Sequence, residues 1–83
     1  MQLDPIIARG RVIAAGRMLA GLGQEQLAAE AGLSPSTVSK IELGKRNVRT
    51  DTLRAVVQAL DRLGVDVTQN GRTGHHAVGT SYA

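Results

Sequence analysis

The chain has 83 residues and a net charge of +3, with 42% hydrophobic residues but a single Tyr and no Phe, Trp or Cys. A chain this short forms one small domain that buries only about 60% of its unfolded surface, and its core must be built from Leu, Ile, Val and Ala. The composition excludes disulfides and thiolate metal sites, and no stretch approaches the ~18 apolar residues of a membrane helix. A cytoplasmic protein without a membrane partner is therefore expected.

Asp4-Pro5 predicts the start of a first helix, because Asp can cap a helix and Pro suits its first turn. An apolar set then fits one helix that stops at Gly21: Ile6, Val12, Ile13, Leu19 and Leu22. Gly10 and Gly16 interrupt this set, and each costs up to about 1 kcal/mol relative to Ala in a helix interior. The sequence thus leaves open whether the helix begins at Pro5 or only after Gly10.

Two short helices, over 24–31 and 35–42, are predicted to cross at a tight turn. Five apolar residues have the spacing that two crossed helices need to share one core: Leu27, Ala31, Leu33, Val38 and Ile41. Ala28 lies where the helices come closest, and Gly32 supplies the left-handed conformation that ends the first of them. The dipeptide Ser34-Pro35 offers an N-cap and a first-turn proline to the second.

A fourth helix is predicted from about Thr50 to Leu63, where apolar residues recur at helical spacing: Leu53, Val56, Val57, Leu60 and Leu63. It ends before Gly64. This helix completes a helical domain over residues 1–64.

Residues 65–83 are expected to form a short β appendage and a loose tail. Val65 to Thr68 alternate between apolar and polar residues, as in a strand. Asn70-Gly71 is typical of a two-residue turn, and residues 75–78 are candidates for the returning strand. The tail is expected over residues 79–83.

The two crossed helices and the loop after them resemble the Cro/phage-repressor type (XRE-like) of bacterial helix-turn-helix regulators. Three runs carry the resemblance, which covers roughly residues 12 to 64: G-L-x-Q-x-x-L-A (Gly21 to Ala28), S-x-S-T-V-S-K-I-E (Ser34 to Glu42) and G-K-R-N (Gly44 to Asn47). Gly23 departs from the pattern, since the family usually carries Ser or Thr there as an N-cap; the cost is a few tenths of a kcal/mol. The resemblance implies a mainly α, lambda-repressor-like bundle of four short helices, here with a small C-terminal β-strand or hairpin.

The third helix would be the one that reads DNA. With its apolar residues directed inward, the opposite face presents the candidate base contacts Pro35, Ser36, Ser39 and Lys40, and an α-helix fits the major groove. Lys40 alone is long and charged enough to prefer guanine, but a phosphate contact or plain solvation stays open for it. Direct readout should therefore be sparse, with more dependence on water and DNA shape.

Candidate contacts to the DNA backbone are Gln24, Thr37, Lys45, Arg46, Asn47 and Arg49. Residues 40–49 hold four basic side chains against Glu42 alone, and the charges of the other residues nearly cancel. Such a local excess indicates a phosphate-facing patch, although a solvated loop has the same composition. For Gln24, the phosphate role is implied by the matching glutamine of the family, at a helix start with free N–H groups.

Arg17 and Glu42 are expected to be structural. In the family that the chain resembles, a matching arginine on the first helix pairs with the acidic residue at the end of the third helix. His75-His76 suggest a metal, but adjacent residues point in different directions and no Cys or close carboxylate adds ligands. We therefore expect no metal or other cofactor. The sequence also offers no nucleophile–base pair and no paired catalytic carboxylates, which argues against an enzyme.

Together these features predict a sequence-specific DNA-binding transcriptional regulator. The expected form is a nucleoid-associated repressor that binds an inverted-repeat operator in double-stranded DNA as a homodimer. The dimer would form through the strand after Gly64 paired with its two-fold mate, or through the fourth helix. One alternative is an antitoxin that binds a toxin protein through the C-terminal segment and autoregulates its operon. Another is an interaction module without DNA binding, which the basic run disfavours.

Overall fold

A computed structural model describes residues 4–70 and 75–80 of the chain. Four helices precede a two-stranded antiparallel sheet: α1 Pro5–Leu19, α2 Gln24–Ala31, α3 Pro35–Glu42, α4 Thr50–Arg62, β1 Val65–Asn70 and β2 His75–Thr80. The predicted fold class, mainly α with a small C-terminal hairpin, is confirmed. Within the described ranges, no helix is long and apolar enough to cross a membrane.

α1 begins at Pro5 and runs through Gly10 without a break. Gly10 is buried beneath the end of α3, and a Cβ atom built on it would lie 2.5 Å from the carbonyl oxygen of Ile41 and 2.7 Å from that of Glu42. The residue that weakens the helix locally is thus the one that allows the α1 and α3 backbones to approach. Packing against α3 outweighs the ~1 kcal/mol helix penalty of glycine, so a start after Gly10 is wrong.

The helix ends use the local signals present in the sequence. The Asp4 carboxylate accepts a hydrogen bond from the backbone N–H of Ile6 at 2.8 Å, which caps α1. The Ser34 hydroxyl accepts one from the N–H of Thr37 at 3.3 Å, which caps α3. Between α2 and α3, Gly32 has φ +70°, in the left-handed region that ends a helix at no steric cost to glycine.

Gly23 begins α2 without a side-chain cap. Its own backbone N–H instead donates to the Gln26 side-chain oxygen at 2.8 Å. This is the half of a capping box that does not depend on the N-cap side chain. The helix start therefore keeps one of its two capping hydrogen bonds despite the departure from Ser or Thr.

The core is one cluster to which all four helices and β1 contribute. Its buried side chains are Ile13, Leu27, Ala28, Val38, Ile41, Val56, Ala59, Leu60 and Val65. Leu19, one of the apolar residues that predicted α1, is not among them and is 54% exposed. The buried positions of α1 are Gly10, Ile13 and Gly16, and each three-residue step falls about 60° short of a full helical turn. By Leu19 this row has rotated away from the core.

The hairpin folds back on its own subunit. β1 pairs with β2 in antiparallel register from Val65↔Thr80 to Asn70↔His75, α1 contacts both strands, and α4 contacts β1. Val65 is fully buried and Val67 packs against the core. The apolar face of β1 is therefore covered within the subunit and does not need a two-fold mate to bury it.

The ends of the hairpin differ in part from the expectation. Gly79 and Thr80, expected in the tail, belong to β2 because they pair with Asp66 and Val65. The predicted turn at Asn70-Gly71 extends beyond the described residues after Asn70, and the tail residues 81–83 lie outside them.

Replacing Gly10 with Ala should destabilise the protein, although Ala is normally the better helix former. The added methyl group meets two carbonyl oxygens of α3, and overpacking of this kind costs about 1–3 kcal/mol. Chemical unfolding followed by circular dichroism measures the change. Gly23→Ser is the matched control, since its Cβ would meet no atom closer than 3.7 Å and Ser restores an N-cap. A Gly10→Ala protein at least as stable as wild type would contradict the close approach.

Candidate nucleic-acid interface

α3 presents one apolar face to the core and one polar face to solvent. Val38 and Ile41 are fully buried. The four candidate base contacts lie on the other side, where three are exposed and one is half-buried: Pro35, Ser36, Lys40 and Ser39. The major groove is wide enough for an α-helix, so this exposed side of α3 can face base edges.

Three hydroxyl groups form a cluster at the start of α3. The oxygen of Ser34 lies 3.1 Å from that of Ser36 and 2.8 Å from that of Thr37. These contacts hold Ser36, a candidate base contact, and Thr37, a candidate backbone contact, in place. Each hydroxyl has one donor and two acceptor positions, so both keep hydrogen-bonding capacity for a base edge or a phosphate.

Arg17 holds the end of α3 against α1. Its Nε lies 2.7 Å from Oε2 of Glu42 and its Nη2 3.1 Å from Oε1, while Nη1 donates to the carbonyl of Leu22 at 3.0 Å. The side chains of Arg17 and Glu42 are only 15% and 8% exposed. The hydrogen bond with Glu42 raises the pKa of Arg17 above its usual value, against the opposing effect of burial. The Arg17 guanidinium is thus charged in the folded protein.

Gln24, a candidate phosphate contact, also hydrogen-bonds to the Arg17–Glu42 pair. Its side-chain nitrogen donates to Oε1 of Glu42 at 3.0 Å. An amide nitrogen carries two hydrogens, so one stays free for a phosphate near the start of α2. The same side chain thereby links the start of α2 to the end of α3.

The loop after α3 exposes the remaining candidates, Lys45, Arg46, Asn47 and Arg49. Arg46 pairs with Asp4, the cap of α1. The hydrogen bond from the Ile6 N–H and then that from Arg46 lower the pKa of Asp4 below its usual value, so this carboxylate is ionised at neutral pH.

A second carboxylate lies beside the loop. Asp51 approaches Arg49 at 3.3 Å, so two of the loop's basic side chains have acidic partners. Lys40 and Lys45 form no ion pair within the described residues. Sequence reasoning found Asp4 as a helix cap but missed its pairing with Arg46, because the two residues lie 42 positions apart and no local signal connects them. Asp51, two residues after Arg49, is a neighbour that a local reading could have found.

No group of three or more metal-ligating side chains occurs in the part of the chain that the structure describes.

Arg17→Met should destabilise the protein by about 3 kcal/mol, the lower end for a buried pair, because it leaves the Glu42 charge without its partner. The double variant Arg17→Met/Glu42→Leu should recover part of the loss, since neither charge is then left alone. Arg46→Met is the control, because its exposed pair is worth less than about 1 kcal/mol. Urea unfolding of wild type, the two single variants Arg17→Met and Glu42→Leu and the double variant gives the coupling energy between Arg17 and Glu42. Equal losses of stability in Arg17→Met and Arg46→Met would contradict a structural role for Arg17.

A helix-turn-helix family model matches residues 13–67, more than half of the chain. The matched range contains α2, the turn, α3 and the Arg17–Glu42 pair, and extends to β1. A search of curated proteins gave no match. The chain belongs to the Cro/C1-type (XRE-like) helix-turn-helix family, and it is a DNA-binding transcriptional regulator.

Proposed function

We propose that the protein is a repressor that binds an inverted-repeat operator in double-stranded DNA as a homodimer. The observation that carries this proposal is the exposed polar face of α3, held in a fixed orientation by the Arg17–Glu42 pair and flanked by the basic loop. A regulator of this kind acts where the DNA is, in the cytoplasm and on the nucleoid.

Base readout is assigned to Pro35, Ser36, Ser39 and Lys40. Backbone contacts are assigned to Gln24, Thr37, Lys45, Arg46, Asn47 and Arg49. Arg46 and Arg49 must exchange a carboxylate for a phosphate when DNA binds. This exchange is inexpensive, because exposed ion pairs contribute only about 0–1 kcal/mol.

Repression by occlusion suits the described part of the chain, which consists of the DNA-reading bundle and the hairpin. A dimer over an inverted repeat covers about two turns of DNA, since its half-sites lie about 34 Å apart. Such a footprint blocks a promoter without any further contact to polymerase.

Two surfaces at the C-terminal side of the bundle support a dimer. Leu63, directly after α4, is 41% exposed. The two-stranded sheet also leaves an unpaired edge on each strand, and such edges pair readily with another chain. The dimer would therefore use the end of α4 or a strand edge.

In-vitro selection from a random DNA pool tests the proposal. We expect enrichment of an inverted repeat with half-sites about one helical turn apart. Enrichment of a single half-site would contradict the dimer, and failure to enrich any sequence would contradict sequence-specific regulation.

Lys45→Ala and Lys40→Ala should affect DNA binding differently. Lys45→Ala should weaken specific and random DNA alike and reduce the salt slope by about one, because one phosphate is no longer neutralised. Lys40→Ala should instead reduce discrimination at one base pair by about 1–3 kcal/mol. Fluorescence titrations over several salt concentrations, with operator and random duplexes, measure both. If the two variants behave alike, Lys40 contacts only phosphate.

Leu63→Glu should convert the dimer to a monomer if the end of α4 forms the interface, because a carboxylate would have to be buried there. Sedimentation equilibrium measures the oligomeric state. Met18→Glu is the matched control, since Met18 is an apolar side chain on α1 that is 66% exposed. A Leu63→Glu protein that remains dimeric would assign the interface to a strand edge instead.

A further inference from the structure

A groove between α1 and α4 holds two arginines that lie outside the basic loop. It has a volume of about 350 Å³ and is lined by Arg9, Thr50, Leu53, Arg54 and Val57. Leu53 and Val57 are half-buried and pack against the core, while Thr50 and Arg54 are exposed. The groove therefore combines an apolar floor with a cationic, open rim.

No carboxylate of the described residues lies within ion-pair distance of the two arginines in this groove. Within the described residues, Arg9 and Arg54 form no ion pair, whereas Arg17, Arg46 and Arg49 each have an acidic partner. The Nε of Arg9 is shielded from solvent, and no described residue accepts a hydrogen bond from it. A buried donor without an acceptor and two like charges in one groove are both unfavourable. An oxyanion between the guanidinium groups would offset both charges.

The start of α4 contributes the positive end of its dipole, which the Asp51 carboxylate in the same turn offsets in part. Arg49, in the N-cap position, makes no side-chain hydrogen bond to the first turn, so the N–H groups there are open to a ligand. α4 has 13 residues, and the positive end of its dipole lies at the groove beside Thr50. The dipole of α4 adds to the attraction for an anion, but most of that attraction comes from Arg9 and Arg54.

The shape of the groove favours one oxyanion of a larger partner. Sites for small molecules enclose most of the ligand surface, whereas the rim residues Thr50 and Arg54 are exposed. Thr50 also directly follows Arg49, the last of the proposed backbone contacts. We propose that this groove binds a phosphate group of the DNA backbone and extends the contact surface beyond the loop, with Arg9 and Arg54 as its ligands. The proposal rests on the proposed mode of DNA binding.

Arg9→Met and Arg54→Met test the groove, with Arg11→Met as the matched control. Arg11 is exposed on α1 and does not line the groove, so each of the three variants loses one positive charge. Affinity for a random-sequence duplex is measured over a range of salt concentrations. We expect Arg9→Met and Arg54→Met each to reduce the slope of log K against log salt by up to about 0.9, the value for the one phosphate that the two arginines share. The slope of Arg11→Met should stay near that of wild type; slopes that are equal in all three variants would overturn the proposal.

A second measurement separates DNA from free phosphate. Melting temperatures are recorded without DNA in sodium phosphate and in sodium chloride at equal ionic strength. Stabilisation by phosphate that is absent in Arg54→Met, together with unchanged DNA slopes, would make the groove a site for a free anion and overturn the DNA assignment. Circular dichroism checks folding, and Arg54 at the exposed rim carries the test if Arg9→Met unfolds.

The proposed function and the groove can fail separately. The random-sequence duplex needs no operator, so the groove is tested even if no sequence is selected. Conversely, a selected inverted repeat with equal slopes in all three arginine variants would retain the repressor and reject the groove.

Discussion

The guanidinium of Arg17 and the carboxylate of Glu42 meet in two hydrogen bonds between α1 and the last turn of α3. α3 has only eight residues, and a helix of that length is not stable alone in water. Its direction must therefore come from tertiary contacts. Val38 and Ile41 fix one face of α3 against the core. The Arg17–Glu42 ion pair and the hydrogen bond from Gln24 to Glu42 fix its end. A DNA-reading helix needs this constraint because a small rotation would move every side chain relative to the base edges.

Local signals made much of the fold predictable. Ser34, Pro35 and Gly32 act within one turn of their own position, through capping, a fixed φ and left-handed backbone. The spacing of Val38 and Ile41 then defined the buried side of α3. These residues alone were sufficient to predict the turn and the outward face of α3.

Features that depend on distant contacts could not be read in the same way. Gly10 is unfavourable in a helix by propensity, and only the carbonyl groups of α3 above it explain its place in α1. Arg17 and Glu42 were connected through the family resemblance and not through their spacing. The pairing of Asp4 with Arg46 could not be predicted, because neither a motif nor a local pattern connects the two residues. The charge count for residues 40–49 included Glu42 but not Asp4 and Asp51, which lie outside that range and pair with Arg46 and Arg49.

The pairing of Arg46 with Asp4 and of Arg49 with Asp51 bears on how such a protein finds one site in a genome. A chromosome offers roughly 10⁶–10⁹ competing sites, and all of them present the same phosphates. In the proposed mode of binding, carboxylates next to the loop reduce the attraction to each of these sites, whereas the proposed base contacts of α3 are unaffected. Since Arg46 and Arg49 are proposed to contact the backbone of operator and unrelated DNA alike, their pairing weakens both kinds of binding. The ratio between the two affinities, on which occupancy of one site depends, is then set by the proposed base contacts of α3.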